Sequence, residues 1–413
     1  MKILEPTNVL VGVVGKTNVG KSTFFSAATE IEVQIENRPF VTIEPNIGIG
    51  YARKKCVHIE LGLLKCDASN SICENGERLI PIRIMDVAGL VPGAHEGKGL
   101  GNKFLDDLRR ADVFLLIVDA SGSTSPDGAP AKPGTYDPID EIGFVINEID
   151  EWMYGSIQKD WDKLIKQYEI GAIKDPIETF SQRVSGFGIN KSQIEILLDR
   201  LRLSENELFK IDKDTLRHLV KEMRRLTKPM VIVANKIDVP ESKKNLEKIK
   251  SSFKEYPIIP ASSVAELLLR KLRKNKVISY IPGDSDFKII LQEKLDSKTR
   301  QALEFIRENI LKVYKGTGVV QAINTALFES LNLIPVYPVE DINKYTDKQN
   351  KILPDVILLE RGSTAKDLAN KIHSDLANTF LYAINAKTKQ RIGASYVLNE
   401  NDVIKIVATA GRG

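Results

Sequence analysis

The sequence holds no apolar run long enough to cross a bilayer, and 28% of its 413 residues are charged, which excludes a membrane-spanning helix. A strong surplus of either charge is missing as well: 59 Lys and Arg stand against 55 Asp and Glu, a net +4. So small a surplus permits contact with RNA but is the ordinary result of keeping a surface solvated. No signal peptide is read, because MKILEPTNVLVGVV carries one Lys and passes directly into an apolar strand. These absences imply a soluble, cytoplasmic chain, expected to be monomeric, with room for two or three domains.

Cysteine is scarce: Cys56, Cys66 and Cys73 fall in one stretch, with His58 nearby. A Cys₃His zinc clip and a disulfide are both open to such a set. The spacing, however, lacks the C-x₂₋₄-C knuckle of structural zinc sites and favours free thiols. CDASNSICENG then reads as a polar turn between two strands.

What is present is decisive. The apolar run Val9–Val14 leads into Gly15-Lys16-Thr17-Asn18-Val19-Gly20-Lys21-Ser22, a G-x-x-x-x-G-K-[ST] loop. Its backbone N–H groups suit polyphosphate oxygens, Lys21 suits the β- and γ-phosphates, and Ser22 suits Mg²⁺. Thr23 opens a helix whose N-terminus favours anions. A second apolar strand, LIPIRIMDVAG, ends in Asp86-x-x-Gly89; Asp86 is placed for the Mg²⁺ water shell and Gly89 for the γ-phosphate. A third, MVIVANKID, ends in Asn235-Lys236-Ile237-Asp238. A carboxylate at Asp238 accepts from guanine N1–H and N2–H₂, donors that adenine lacks. Ile258 to Ser263 forms a further strand with a small polar turn, so that Ser262 and Ser263 close over the base. Between the first two motifs lies RPFVTIEPN, a proline-broken segment whose order depends on ligand; Thr42 is its candidate to cap Mg²⁺ and sense the γ-phosphate.

Pattern shifts divide the chain. Residues 1–120 and 228–282 alternate strand and helix signals, giving an α/β nucleotide-binding domain with a mostly parallel sheet. Within the span 121–227, SGSTSPDGAPAKPG reads as an unpacked linker, and residues 138–226 carry apolar positions at helical spacing. Residues 283–334 read as a helical connector, and 335–413 as a small β-grasp domain. That module is too small for a polyphosphate site of its own and reads as an RNA- or protein-docking surface, with a structural cap as the alternative.

RPFVTIEPNIG followed by DVAGLVPGAHEGKGLGNKFLDDLRRADVFLLIVDAS resembles the Obg family of translation-associated GTPases, and LNLIPVYPV with the C-terminal eighty residues resembles its TGS module. The domain order, without a glycine-rich N-terminal domain, is similar to the YchF-like branch in an archaeal form. The resemblance implies GTP and GDP as ligands, Mg²⁺ as cofactor and a role around the ribosome. Many YchF-like proteins carry a degraded NKxD motif and prefer ATP, whereas Asn235 and Asp238 are intact here, which points to GTP.

The water-positioning Gln that usually follows D-x-x-G is missing: Leu90 stands there, and an apolar side chain cannot orient water. Slow hydrolysis is expected unless another group acts. His95 is one candidate. The other is K⁺, since Asn18 matches a P-loop asparagine that helps bind K⁺ in related GTPases lacking the Gln; Asn18 holding switch I by a hydrogen bond is the alternative.

Overall fold

The computed structural model describes residues 7–29, 46–90, 93 and 107–409. Thr42 and His95 lie outside the described residues. Strands β1 (Leu10–Val14), β2 (Asn46–Lys55), β3 (Ile72–Glu74), β4 (Glu77–Asp86), β5 (Val113–Asp119), β6 (Met230–Asn235) and β7 (Ile258–Pro260) form one sheet in the order β2-β4-β1-β5-β6-β7, with β3 beside β4. From β4 to β7 the pairs along this order are parallel, and β2 and β3 join antiparallel at the edge. Strands β1, β5 and β6 are buried at every residue, as strands covered on both faces must be, and their sequences are correspondingly unbroken apolar runs. Helix α1 (Lys21–Thr29) begins on the lysine of the glycine-rich loop and buries Phe24 and Phe25 against the sheet.

One face of the sheet is covered by a helical layer. Its main helices are Pro138–Gln158, Trp161–Glu169, Pro176–Val184, Lys191–Arg200 and Lys213–Thr227. Four of the five start on an Asp or Asn whose side chain accepts a hydrogen bond from the first helical turn (Asp137, Asp175, Asn190, Asp212), satisfying donors the helix itself leaves open. Trp152, Trp161, Phe180, Phe209 and Val220 from this layer merge with Leu10, Phe114 and Leu116 of the sheet in one core. The opposite face carries α1 and a helix beginning Val319–Asn324 that continues through wider π turns to Ser330. There the Asn324 side chain pairs with the Arg53 backbone of β2, accepting from its N at 2.8 Å and donating to its O at 3.0 Å. A two-stranded ribbon absent from the expectations, β8 (Ile278–Ser279) with β9 (Lys288–Ile289), packs near the helix Ser297–Ile306 in a separate core.

The C-terminal strands β10 (Leu333–Pro338), β11 (Ile357–Glu360), β12 (Phe380–Asn385), β13 (Gln390–Ile392) and β14 (Val403–Ala408) form a second sheet, ordered β11-β10-β14-β12-β13. Only β10 and β14, at its centre, run parallel, the mixed arrangement of a β-grasp. Thr364 opens the helix Ala365–Ile372 with a capping box to Asp367.

The stretch 121–134 corrects the sequence reading. It is packed: Ser121 and Thr124 are buried, and it is folded by backbone bonds including Ser125 N to Ala129 O, Ala131 N to Ser123 O and Gly134 N to Ser121 O. Its Pro and Gly content serves tight turns and not slack. None of the helices among the described residues is long and apolar enough to cross a membrane.

The helical layer contains a buried ion pair, Arg224 Nε to Asp150 Oδ1 at 2.5 Å, with the guanidinium also donating to Tyr256 at 2.9 Å. Burial pushes the Asp150 carboxyl upward, partly offset by Arg224. Removing one partner leaves the other charge buried alone. Asp150→Ala should therefore cost about 3 kcal/mol of unfolding free energy in a denaturant titration; a loss below about 1 kcal/mol would mean that the pair is solvated like a surface bridge.

Candidate nucleotide-binding site

Three motifs far apart in the chain meet at the carboxyl ends of β1, β4 and β6, where parallel α/β sheets hold their ligands. The Asn235 amide joins two of them. Its Nδ2 donates to Val19 O of the glycine-rich loop at 3.0 Å, and its Oδ1 accepts from Ser263 N at 3.2 Å and Ser263 Oγ at 2.8 Å. Gly20 is obligatory beneath it: with φ at +99°, a Cβ there would lie 2.4 Å from Asn235 Nδ2.

Lys21 is buried and donates from Nζ to Lys16 O at 2.7 Å. Burial lowers its pKa from 10.5 to about 8, against the opposing pull of Asp86 and Glu141. Asp86, at the end of β4, is 1% exposed and is held above the usual carboxylate range by burial, with Lys21 and Ser22 acting the other way. Ser22 Oγ donates to Asp86 Oδ2 at 2.9 Å, whereas Asp86 Oδ1 is buried with no hydrogen-bond partner among the described residues. A carboxylate oxygen with a free lone pair beside a hydroxyl oxygen is the donor set expected around a hydrated divalent cation, while the ammonium next to them suits a phosphate oxygen. Leu90 N donates to Gly15 O at 3.1 Å, seating Gly89 against Thr17 and Lys21. Leu90 itself is 1% exposed and lies in the core, so it does not face attacking water. Thr23 occupies the first turn of α1.

At the base-reading end, Ser262 Oγ donates to Asp238 Oδ1 at 2.6 Å and caps the helix Ser263–Lys274 through Ala265 N. Ser262 and Ser263 are buried: the first fixes the Asp238 carboxylate and the second fixes the Asn235 amide.

The sequence reading missed a polar hub around Asp119, at the end of β5. This carboxylate accepts from Ser121 N, Ser123 Oγ, Thr124 Oγ1 and Lys236 Nζ, the last at 2.8 Å. Burial alone would raise its pKa, but Lys236, Ser121 and Thr124 outweigh burial and hold it low. Lys236, in the left-handed region at φ 62°, thus ties the NKID turn to the supposed linker. Lys16 does the same from the phosphate loop, pairing with buried Glu141 at 2.9 Å and donating to Thr124 O at 3.0 Å. Asn18, also at φ 63°, donates from Nδ2 to Gly128 O at 2.7 Å. Gly128 lies so close that a Cβ would sit 2.7 Å from Thr17 Cβ. The segment 121–134 is accordingly a wall of the site. The buried acid pair Asp119 and Glu141 carries no motif, so only its polar positions among apolar runs could have marked it. Beyond Gly89, Gly93 N donates to Glu148 of the helical layer at 3.0 Å.

Fold and site together define a P-loop nucleotide-binding protein of the GTPase type with an appended β-grasp module. Family models agree: residues 10–153 match the model described as 50S ribosome-binding GTPase, 233–341 that of the Obg-like GTPase YGR210-like, G4 motif-containing domain, and 343–408 the TGS domain. A GTP-binding protein of Methanocaldococcus jannaschii is 47% identical over 97% of this chain and 99% of its own length. A solved GTP-binding protein from Pyrococcus horikoshii OT3 superposes with a TM-score of 0.77 at 38% identity, covering 97% of this chain and 100% of that one. The ribosome-binding ATPase YchF of Mycoplasma genitalium is 28% identical over 90% of this chain and 86% of its length. The chain belongs to the Obg-like family of P-loop GTPases and carries a C-terminal TGS domain.

The lowered Lys21 pKa has a sign that binding can read. In the ligand-free protein Lys21 loses its proton above about pH 8, while a polyphosphate beside it stabilises the charged form. Affinity for a nucleoside triphosphate should be flat below pH 8 and fall by up to about tenfold per pH unit above it, measured by calorimetry. A Lys21→Ala protein should bind weakly without that slope; an equal slope in both would move the proton linkage to another group.

Proposed function

We propose that the protein binds GTP with Mg²⁺ and hydrolyses it slowly at the β–γ phosphoanhydride, acting as a nucleotide-controlled switch linked to the ribosome. The single observation carrying the guanine assignment is Asp238 held in place by Ser262 at 2.6 Å. A fixed carboxylate face with no other partner among the described residues rewards a ligand with two adjacent donors and penalises adenine, which leaves it unpaired. The intact Asn235 turn supports the same reading against the ATPase name of the YchF relative.

Lys21 and the N–H groups of Gly15 to Thr23 would cradle the phosphates. Ser22, Asp86 and Thr42 would hold Mg²⁺, which when bound neutralises charge on the β- and γ-oxygens. Gly89 N would meet the γ-phosphate, and the Gly93–Glu148 bond offers a route from that contact to the helical layer. Because Leu90 is buried, the charge of the transition state needs another source. Asn18 spends its Nδ2 on Gly128 and leaves its Oδ1 unengaged among the described residues, which fits K⁺ binding there; His95 is the competing candidate. The ribosome link rests on the printed names of the YchF relative and of the G-domain model, and the TGS and helical regions are the surfaces proposed to serve it.

Base choice is tested by Asp238→Asn. GTP binding should weaken by about 2–4 kcal/mol, the scale of two charge-assisted hydrogen bonds, and XTP should gain, since xanthine offers a carbonyl where guanine offers N2–H₂. Unchanged GTP affinity, or ATP competing equally for the wild-type site, would overturn the assignment.

For hydrolysis, KCl should support several-fold more turnover than NaCl at equal ionic strength, about 1 kcal/mol of barrier. Asn18→Ala should abolish the difference and His95→Ala should preserve it. Cation-blind turnover that collapses in His95→Ala would assign the role to His95.

A further inference from the structure

Between β2 and β4 the chain makes an excursion that the nucleotide site does not use. Cys56 follows the last residue of β2 and caps the short helix α2 (Val57–Glu60), which carries His58. Cys66 lies in the loop beyond, and Cys73 lies in β3. A tight turn at Asn75 and Gly76, both with positive φ, folds β3 back onto β4, the chemistry of a two-residue hairpin. This folding gathers the four side chains so that one ligand atom from each lies within 4.8 Å of every other.

We propose that Cys56, His58, Cys66 and Cys73 form a structural zinc site. The geometry already has the scale of the metal complex. Cys56 Sγ and Cys66 Sγ are 3.7 Å apart, and Cys73 Sγ and His58 Nδ1 are 3.6 Å apart. A tetrahedral zinc with Zn–S bonds of about 2.3 Å has edges of roughly 3.8 Å. A disulfide brings two sulfurs to about 2.05 Å and leaves the third unpaired, whereas here three sulfurs and a nitrogen converge on one point. Cys56 and His58 are buried, as a closed site without an open coordination position requires.

A second observation concerns charge. Three thiolates, a neutral imidazole and Zn²⁺ carry a net charge of −1. Arg78, fully buried, aims Nη1 at Cys66 Sγ (3.3 Å) and Cys56 Sγ (4.0 Å), and it makes no ion pair among the described residues. Its Nη2 donates to Leu353 O and Pro354 O. Asp355 is the carboxylate that acts on Arg78, through space and without a direct ion pair; an anionic metal–thiolate centre supplies a countercharge in direct contact with the buried guanidinium, and N–H···S bonds of this kind hold metal ligands in orientation.

The site also has mechanical work to do. Between Cys66 and Cys73 the loop pairs with the C-terminal domain: Asp67 N donates to Ile352 O and Ser69 N to Pro354 O, both at 2.7 Å, while the Asn70 side chain brackets the Val356 backbone. Zinc fastens this loop to β2 and β3, and so fixes the TGS domain against the GTPase domain. The sequence spacing concealed the site because its ligands come from a helix cap, a helix, a loop and a strand instead of one knuckle.

The test is metal analysis of the purified full chain, made without a polyhistidine tag, followed by cobalt substitution. We expect about one zinc per chain, three thiols that react with a disulfide reagent only after chelation, and release of the thiol protons when metal is restored. Cobalt should give the intense visible bands and thiolate charge transfer of a tetrahedral S₃N centre, bleached by added zinc. Cys66→Ser and Cys73→Ser should each lose the bound metal. The wild-type spectrum decides the matter even where a variant fails to fold. A folded wild-type chain without stoichiometric zinc, an octahedral cobalt spectrum, two thiols consumed as a disulfide, or full metal content in both serine variants would overturn the proposal.

Discussion

The amide of Asn235 is the constraint on which the nucleotide site depends. It sits where a buried side chain must satisfy both its donor and its acceptor, and it does so with Val19 on one side and Ser263 on the other. The phosphate loop and the base-reading turn are thereby one rigid object, although they lie more than two hundred residues apart in the chain. The glycine at position 20 belongs to the same constraint, since any side chain there would displace the amide.

Around this neutral link run two charged ones. Lys16 pairs with Glu141 and Lys236 with Asp119 across the floor of the site, and Lys16, Asp119 and Lys236 each bond to part of the segment 121–134. Two buried carboxylates would be unfavourable singly; each is paired with an ammonium, and Ser121, Ser123 and Thr124 add hydrogen bonds to Asp119. Lys21 has only a backbone carbonyl as its direct partner among the described residues, and Asp86 and Glu141 act on it through space. Burial outweighs that compensation and lowers its pKa, so an arriving anion is rewarded.

Much of this was legible from sequence for a physical reason. The strands β1, β5 and β6 are buried on both faces, so their apolar runs are unmistakable, and the residues that handle phosphate and base are fixed in type and spacing by the ligand. The β-grasp character of residues 335–413 was legible as well. What escaped was long-range satisfaction of polar groups. Proline and glycine in 121–134 resemble slack until Lys16, Asn18 and Lys236 are seen bonding to that stretch. Ser262 and Ser263 are read from sequence as closing over the base, and nothing local shows that they also orient Asp238 and Asn235. Convergence of Cys56, His58, Cys66 and Cys73 likewise depends on the hairpin turn at Asn75 and Gly76, which no ligand spacing encodes.

The helix that starts at Val319 and runs to Ser330 places Val319, Ala322, Ile323, Ala326 and Leu327 in the same core as Val11, Val13 and Phe24. A ribosome making this chain would finish every strand of the GTPase sheet long before it made the helix that completes, beside α1, the cover of that sheet's second face. Until the last quarter of the protein emerges, the nascent domain carries an uncovered apolar surface, so its folding is completed late and from the C-terminal side. The order of synthesis thus leaves part of this face exposed until the last quarter of the chain is made.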